Sequence, residues 1–138
     1  MHYRLFLAGA LALSGCGQKS FAAPASARTS ASPDDTFACV KKQLGELGYK
    51  QTSSDVAEHR ITATKIDYKA RRPDVQFRRI LNKLDVDVSA EADGQTSIQA
   101  LGRTFAEYST HRGPTEEEEK ASDQVASDAQ TLLERCRS

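Results

Sequence analysis

Two helical stretches that bracket a strand and a hairpin predict an α+β domain of order α-β-β-β-α, a three-stranded antiparallel sheet with both helices on one face. Three observations carry this expectation. Phe37, Val40, Leu44 and Leu47 recur at helical spacing. Leu84, Val86, Val88 and Ala90 alternate with Asp85, Asp87, Ser89 and Glu91 ahead of an Asp93-Gly94 turn. Ala121, Val125, Ala129, Leu132 and Cys136 then fall within about 40° of one line along a helix, and Leu133 widens that stripe.

The first helix opens at Pro33-Asp34-Asp35-Thr36, where carboxylates sit near the positive end of its dipole. Gly48 stops it, because glycine takes the left-handed C-cap conformation without strain, and Tyr49 folds back on the last turn. After the polar stretch 50–54, residues 60–68 (RITATKIDY) are rich in β-branched and aromatic residues and predict a strand. Its alternation is imperfect, so either a bulge or a strand with two apolar faces is expected. Ser97 to Phe105 returns from the Asp93-Gly94 turn as the second arm of the hairpin. Thr115-Glu116-Glu117-Glu118 has the spacing of a capping box and predicts the start of the last helix.

Ahead of this domain, Arg4 precedes an apolar run from Leu5 to Leu13 that ends in Leu13-Ser14-Gly15-Cys16. About nine apolar residues fall far short of the roughly 20 that a helical membrane span needs, and their order is that of a secretory signal. The last four residues resemble the lipobox of bacterial lipoproteins. That resemblance covers residues 1–17 and implies cleavage before Cys16, which then carries a diacylglycerol as the first mature residue. Gly17, where aspartate commonly holds lipoproteins of two-membrane bacteria in the inner membrane, implies transfer to the outer membrane, with the protein on its periplasmic face. The organisation expected is a signal peptide over 1–15, a lipidated cysteine and flexible tether over 16–33, and one globular domain over 34–138. Residues 17–33 (GQKSFAAPASARTSASP) have no period that buries a face, which is the basis for reading a tether.

With Cys16 in lipid, Cys39 and Cys136 remain as an even pair in an oxidising compartment and are expected to form a disulfide. Apolar residues are only 38% of the chain, so a crosslink that closes nearly the whole domain is a welcome addition to a modest core. Cys39 lies roughly 120° from the centre of its helix's apolar stripe, which requires the other helix to flank it there.

No nucleophile elbow, phosphate loop, paired metal-ligand histidines, CxxC pair or dinucleotide turn is present in the sequence, and no cofactor is expected. His59 and His111 have no recognisable partner in sequence and read as solvated or satisfied side chains. Asp85, Asp87, Glu91 and Asp93 resemble a carboxylate ladder, but a calcium loop needs glycine at its sixth position and glutamate at its twelfth, where Ala90 and Thr96 stand. No metal site is expected.

Charge is segregated although the chain carries equal numbers of acidic and basic residues. Residues 59–83 hold eight basic against two acidic side chains, and residues 84–138 hold five against twelve. Arg71, Arg72, Arg78, Arg79 and Lys83 form a candidate patch for an anionic envelope component or an acidic protein. The alternative is that these cations pair with the chain's own acidic helix. Nucleic acid is not expected in this compartment, and few aromatics interleave the cations. The function that follows is a non-enzymatic, lipid-anchored envelope protein that binds or scaffolds another component. A small envelope hydrolase and a structural or inhibitory module are the alternatives.

Overall fold

In the computed structural model, which describes residues 21–137, the chain runs β1 (Ala23–Thr29), α1 (Pro33–Glu46), β2 (Lys50–Asp55), β3 (Arg60–Asp67), β4 (Phe77–Ala90), β5 (Thr96–Thr110), β6 (Gly113–Glu119) and α2 (Asp123–Cys136). The strands make one antiparallel sheet of order β1-β5-β4-β3-β2, and β6 also pairs β5. This corrects the expected three-stranded α-β-β-β-α fold: the sheet has six strands, and the chain enters it with a strand.

Each missed strand has its own physical reason. β1 was expected to be part of the tether over 16–33. Its inward residues are the small Ala25, Ala27 and Thr29, which pack beside Ala100, Ile98 and Thr96, so no large apolar side chain marks it. β2 is polar and exposed throughout because it is an edge strand that only β3 holds. β6 occupies the predicted helix start. Its residues Thr115–Glu119 continue along β5 where β1 ends, so β1 covers Thr96–Gly102 and β6 covers Thr104–Thr110. Pairing to β5 and to cations on neighbouring segments overrides the local capping pattern.

α2 therefore starts later, at a cap made by Ser122, whose hydroxyl accepts from Val125 N–H at 3.2 Å. Ser122 is itself fixed to the sheet: its N–H donates to Thr104 Oγ1 and its hydroxyl to Asn82 Oδ1, at 2.8 and 2.9 Å. Close approach of α2 to β5 also needs Gly102, since a Cβ there would stand 3.2 Å from Val125 Cγ2. At the other end of the domain, Ser32 caps α1 by accepting from Asp35 N–H at 3.1 Å. The helix closes on Gly48 (φ 88°), with Tyr49 N–H returning to the Leu44 carbonyl at 2.9 Å.

The core lies between the two helices and one face of the sheet. Ile61, Ala63, Leu84, Val86, Val88, Ile98 and Ala100 meet Phe37, Val40 and Leu44 of α1 and Val125, Ala129, Leu132 and Leu133 of α2. β3 is two-sided: Ile61 and Ala63 enter this core while Ile66 stands half-buried on the opposite face. Cys39 and Cys136 are joined, with Cα atoms 5.7 Å apart, so α2 does flank α1 on the side of Cys39. Among the described residues, no helix packs on the opposite face of the sheet.

Candidate functional site

The residues of the expected cationic patch are divided between a loop and a strand. Arg71 and Arg72 lie between β3 and β4, whereas Arg78, Arg79 and Lys83 belong to β4. Arg72 forks onto Glu119 of β6, donates to the Tyr108 hydroxyl at 3.1 Å and lies 5.2 Å over the Phe77 ring. Arg79 Nε donates to Glu107 Oε1 at 3.1 Å, and Arg78 approaches the same oxygen at 3.4 Å. Lys83 reaches Glu116 at 2.6 Å and sits 4.5 Å over Phe105. Arg71 instead donates to the carbonyls of Tyr68 and Ala70, at 2.7 and 2.8 Å. Four of the five cations thus contact the chain's own carboxylates, supplied by β5 and β6, not by the acidic helix that the sequence suggested.

The electrostatics follow from these pairs. The hydrogen bond from Arg72 holds the Glu119 carboxyl below its ordinary range, and the same contact raises the guanidinium further. Glu107 is only 5% exposed and depends on Arg78 and Arg79 for its charge compensation. Lys83 and Arg103 stand directly opposite each other on β4 and β5, a like-charge pair that would repel. Glu116 and Glu118 of β6 flank them, Glu118 at 4.0 Å from Arg103, and so make the arrangement tolerable.

The open face of the sheet forms a trough of about 850 Å³ that crosses four strands, and Gln130 of α2 also lines it. Across its floor the register places Ser26, Gln99, Asp87 and Arg60 in one row and Pro24, Leu101, Asp85 and Thr62 in the next. Arg60 Nε donates to Asp87 at 3.1 Å and Thr62 to Asp85 at 2.7 Å, so the carboxylates are held in fixed directions. Gln99 and Ser26 are exposed and keep donors and acceptors turned outward. Leu101 and Pro24 supply the apolar surface between them. Such a floor can bind by hydrogen bonds and contact area; it holds no obvious nucleophile and base pair. Sequence reasoning missed it as a site because Ser26 fell in the supposed tether and Asp85 and Asp87 read only as a wet strand face.

No protein-family model matches the chain, and no curated protein matches it. Among solved structures, the chain is similar to a DUF4468 family protein from Bacteroides ovatus, at 12% sequence identity and a TM-score of 0.37, over 90% of this chain and 85% of that one. Likeness of that degree assigns no function.

Of the other residues singled out by the sequence, Cys16 and the signal run lie outside the described residues. His59 sits in the β2–β3 turn with φ 51°, against Phe37, and its Nε2 is 2.7 Å from Asp34 Oδ1. That contact ties the turn to the start of α1. His111 is exposed in the β5–β6 turn, so the two histidines are not brought together. Asp93 accepts from Arg28 at 2.5 Å, and no group of three or more metal-ligating side chains occurs among the described residues. A buried polar cluster unseen in the sequence joins Tyr49, Asp128 and Lys65. The Tyr49 hydroxyl donates to Asp128 at 2.8 Å, Gln124 donates to its other oxygen at 2.8 Å, and Lys65 lies 3.5 Å away. Burial, reinforced by the bond to Asp128, pushes the Tyr49 phenol far above its usual range. The cluster locks α2 against the end of α1.

Proposed function

We propose that this chain is a non-enzymatic, lipid-anchored protein of the cell envelope, held at the periplasmic face of the outer membrane, and that it binds another envelope component on the open face of its sheet. One observation carries the binding surface. Among the described residues no helix covers one face of the sheet, and a trough lined by oriented carboxylates, amides, hydroxyls and Leu101 crosses it. The lipobox over Leu13–Cys16 supports the address. Sedimentation with peptidoglycan sacculi, lipopolysaccharide and phospholipid vesicles as probes, each against the wild type and a Gln99→Arg/Leu101→Glu double variant, tests the reading. Retention by one probe that the double variant loses is expected. Equal retention of both proteins, or none by any probe, overturns it.

A second reading has its own observation. On the loop between β3 and β4, Tyr68 is 76% and Val75 98% exposed, beside Arg71, which among the described residues meets only carbonyls. Apolar anchors next to such a cation suit an acidic protein partner. Binding that is lost on Tyr68→Ser and Arg71→Gln but kept by the trough variant would favour this surface.

A further inference from the structure

We infer that the domain lies against its membrane by the β1 edge of the sheet, with the Phe21 ring entering the bilayer interface beside the acylated cysteine. This rests on the reading of Cys16 as the lipidated residue. β1 begins at Ala23, and the backbone is already fixed at Phe21, whose carbonyl accepts from Ala121 N–H at 2.8 Å. Four residues lie between Cys16 and Phe21, so five Cα-to-Cα steps separate the two. Fully extended, they reach at most about 18 Å. The domain is therefore held at the surface and does not swing freely on a long tether.

That reach also rules out the far edge of the sheet as the side that faces the lipid. β2, at the far edge of the sheet, is four strand spacings from β1, about 19 Å. A domain resting on β2 would place Phe21 at the limit of the tether before any side chain of β2 is counted. The β1 edge has no such difficulty, and its chemistry suits an interface. Phe21 is 51% exposed, and Lys120, next to the Ala121 that fixes it, is exposed as well. An aromatic ring enters the headgroup boundary while a neighbouring ammonium meets lipid phosphates. Of the acidic side chains that β6 brings to the same edge, Glu116, Glu118 and Glu119 face Lys83, Arg103 and Arg72, and Glu117 alone has no cation within 4 Å among the described residues. With this edge down, the open face stands across the bilayer plane and its trough is reached from the side, while β2 points away from the membrane.

The chain contains no tryptophan, so single reporters are clean. The mature chain from Cys16 is coupled at that cysteine, the remaining two being disulfide-bonded, to a maleimide lipid in vesicles of phosphatidylethanolamine and phosphatidylglycerol. Three variants are compared: Phe21→Trp, Gln99→Trp on the open face and Thr52→Trp on β2. The expected result is a blue shift and quenching by brominated lipid for the Phe21→Trp reporter alone. Equal quenching of all three, quenching at Gln99→Trp or Thr52→Trp instead, or none anywhere, overturns the proposal. Unchanged thermal melting of each variant in solution establishes that the reporters are folded. Because the anchor is attached chemically, these outcomes are independent of whether cells acylate Cys16, which mass analysis of the native mature protein reads separately.

Discussion

At the scale of single residues, the cations of β4 act first as partners of the chain's own carboxylates. Glu107 shows this most clearly, because its carboxylate is shielded from water and faces both Arg78 and Arg79. Removing one partner leaves a poorly solvated charge. Arg79→Gln should therefore cost about 1–3 kcal/mol in urea unfolding, whereas Arg71→Gln, which loses only bonds to exposed carbonyls, should stay within about 0.5 kcal/mol. Equal effects of the two would mean that the Glu107 contacts do not hold. The Arg72–Glu119 pair has a pH signature. A carboxyl whose folded pKa is depressed contributes stability that is fully present above its unfolded value, about 4.5, and is lost as pH falls through the lower folded value. Both side chains are about a third exposed, so the contribution is on the order of 1 kcal/mol or less. Acid titration of stability should show this loss below about pH 4.5 in the wild type, and Arg72→Gln should flatten it by that amount.

At the scale of elements, two assignments separate the observed fold from the expected one. The start of α2 depends on Ser122, which caps the helix and joins it to Asn82 and Thr104 in the sheet. Ser122→Ala should cost about 1–2 kcal/mol and speed amide exchange in the first turn of α2, while Thr115→Ala, at the sequence's capping-box position, should leave that turn unchanged. β1 is tested by the asymmetry of its faces. Ala27 packs against the core and Ser26 faces outward, so Ala27→Asp should destabilise the domain by about 1–3 kcal/mol and Ser26→Asp scarcely at all. Indifference to both substitutions would return residues 23–29 to a tether.

For the molecule as a whole, the disulfide fixes the two helices to each other across 97 residues of sequence. Chain entropy for a loop of that length sets its contribution near 4–5 kcal/mol, with measured values often lower. The hydrophobic core stands without it, since Leu84, Ile98, Val40 and Leu132 are fully buried and each contributes about 1.5–3 kcal/mol by burial. Reduction should thus shift the urea midpoint strongly downward while far-ultraviolet circular dichroism in buffer keeps its native form. Loss of that signal on reduction alone would show that the crosslink, not the sheet and helices, holds the fold.

What the sequence by itself determined are the features that rest on local periodicity and on counting. The stripe Phe37, Val40, Leu44 made α1 legible, Val125 to Cys136 made the body of α2 legible, and the alternation from Leu84 to Ala90 marked the hairpin, because in each case burial of one face imposes its own period. The disulfide followed from an even pair of cysteines once Cys16 was set aside. Tertiary structure alone decided β1, β2 and β6, whose residues are small, polar or acidic and become strands only because β5 or β3 offers them a backbone to pair with. It decided as well that the basic stretch meets Glu107, Glu116 and Glu119, and that Ser26, Gln99 and Arg60 share one trough. Such neighbours are far apart in sequence, and cross-strand register, a property of pairing between segments and not of any one of them, is what brings them together.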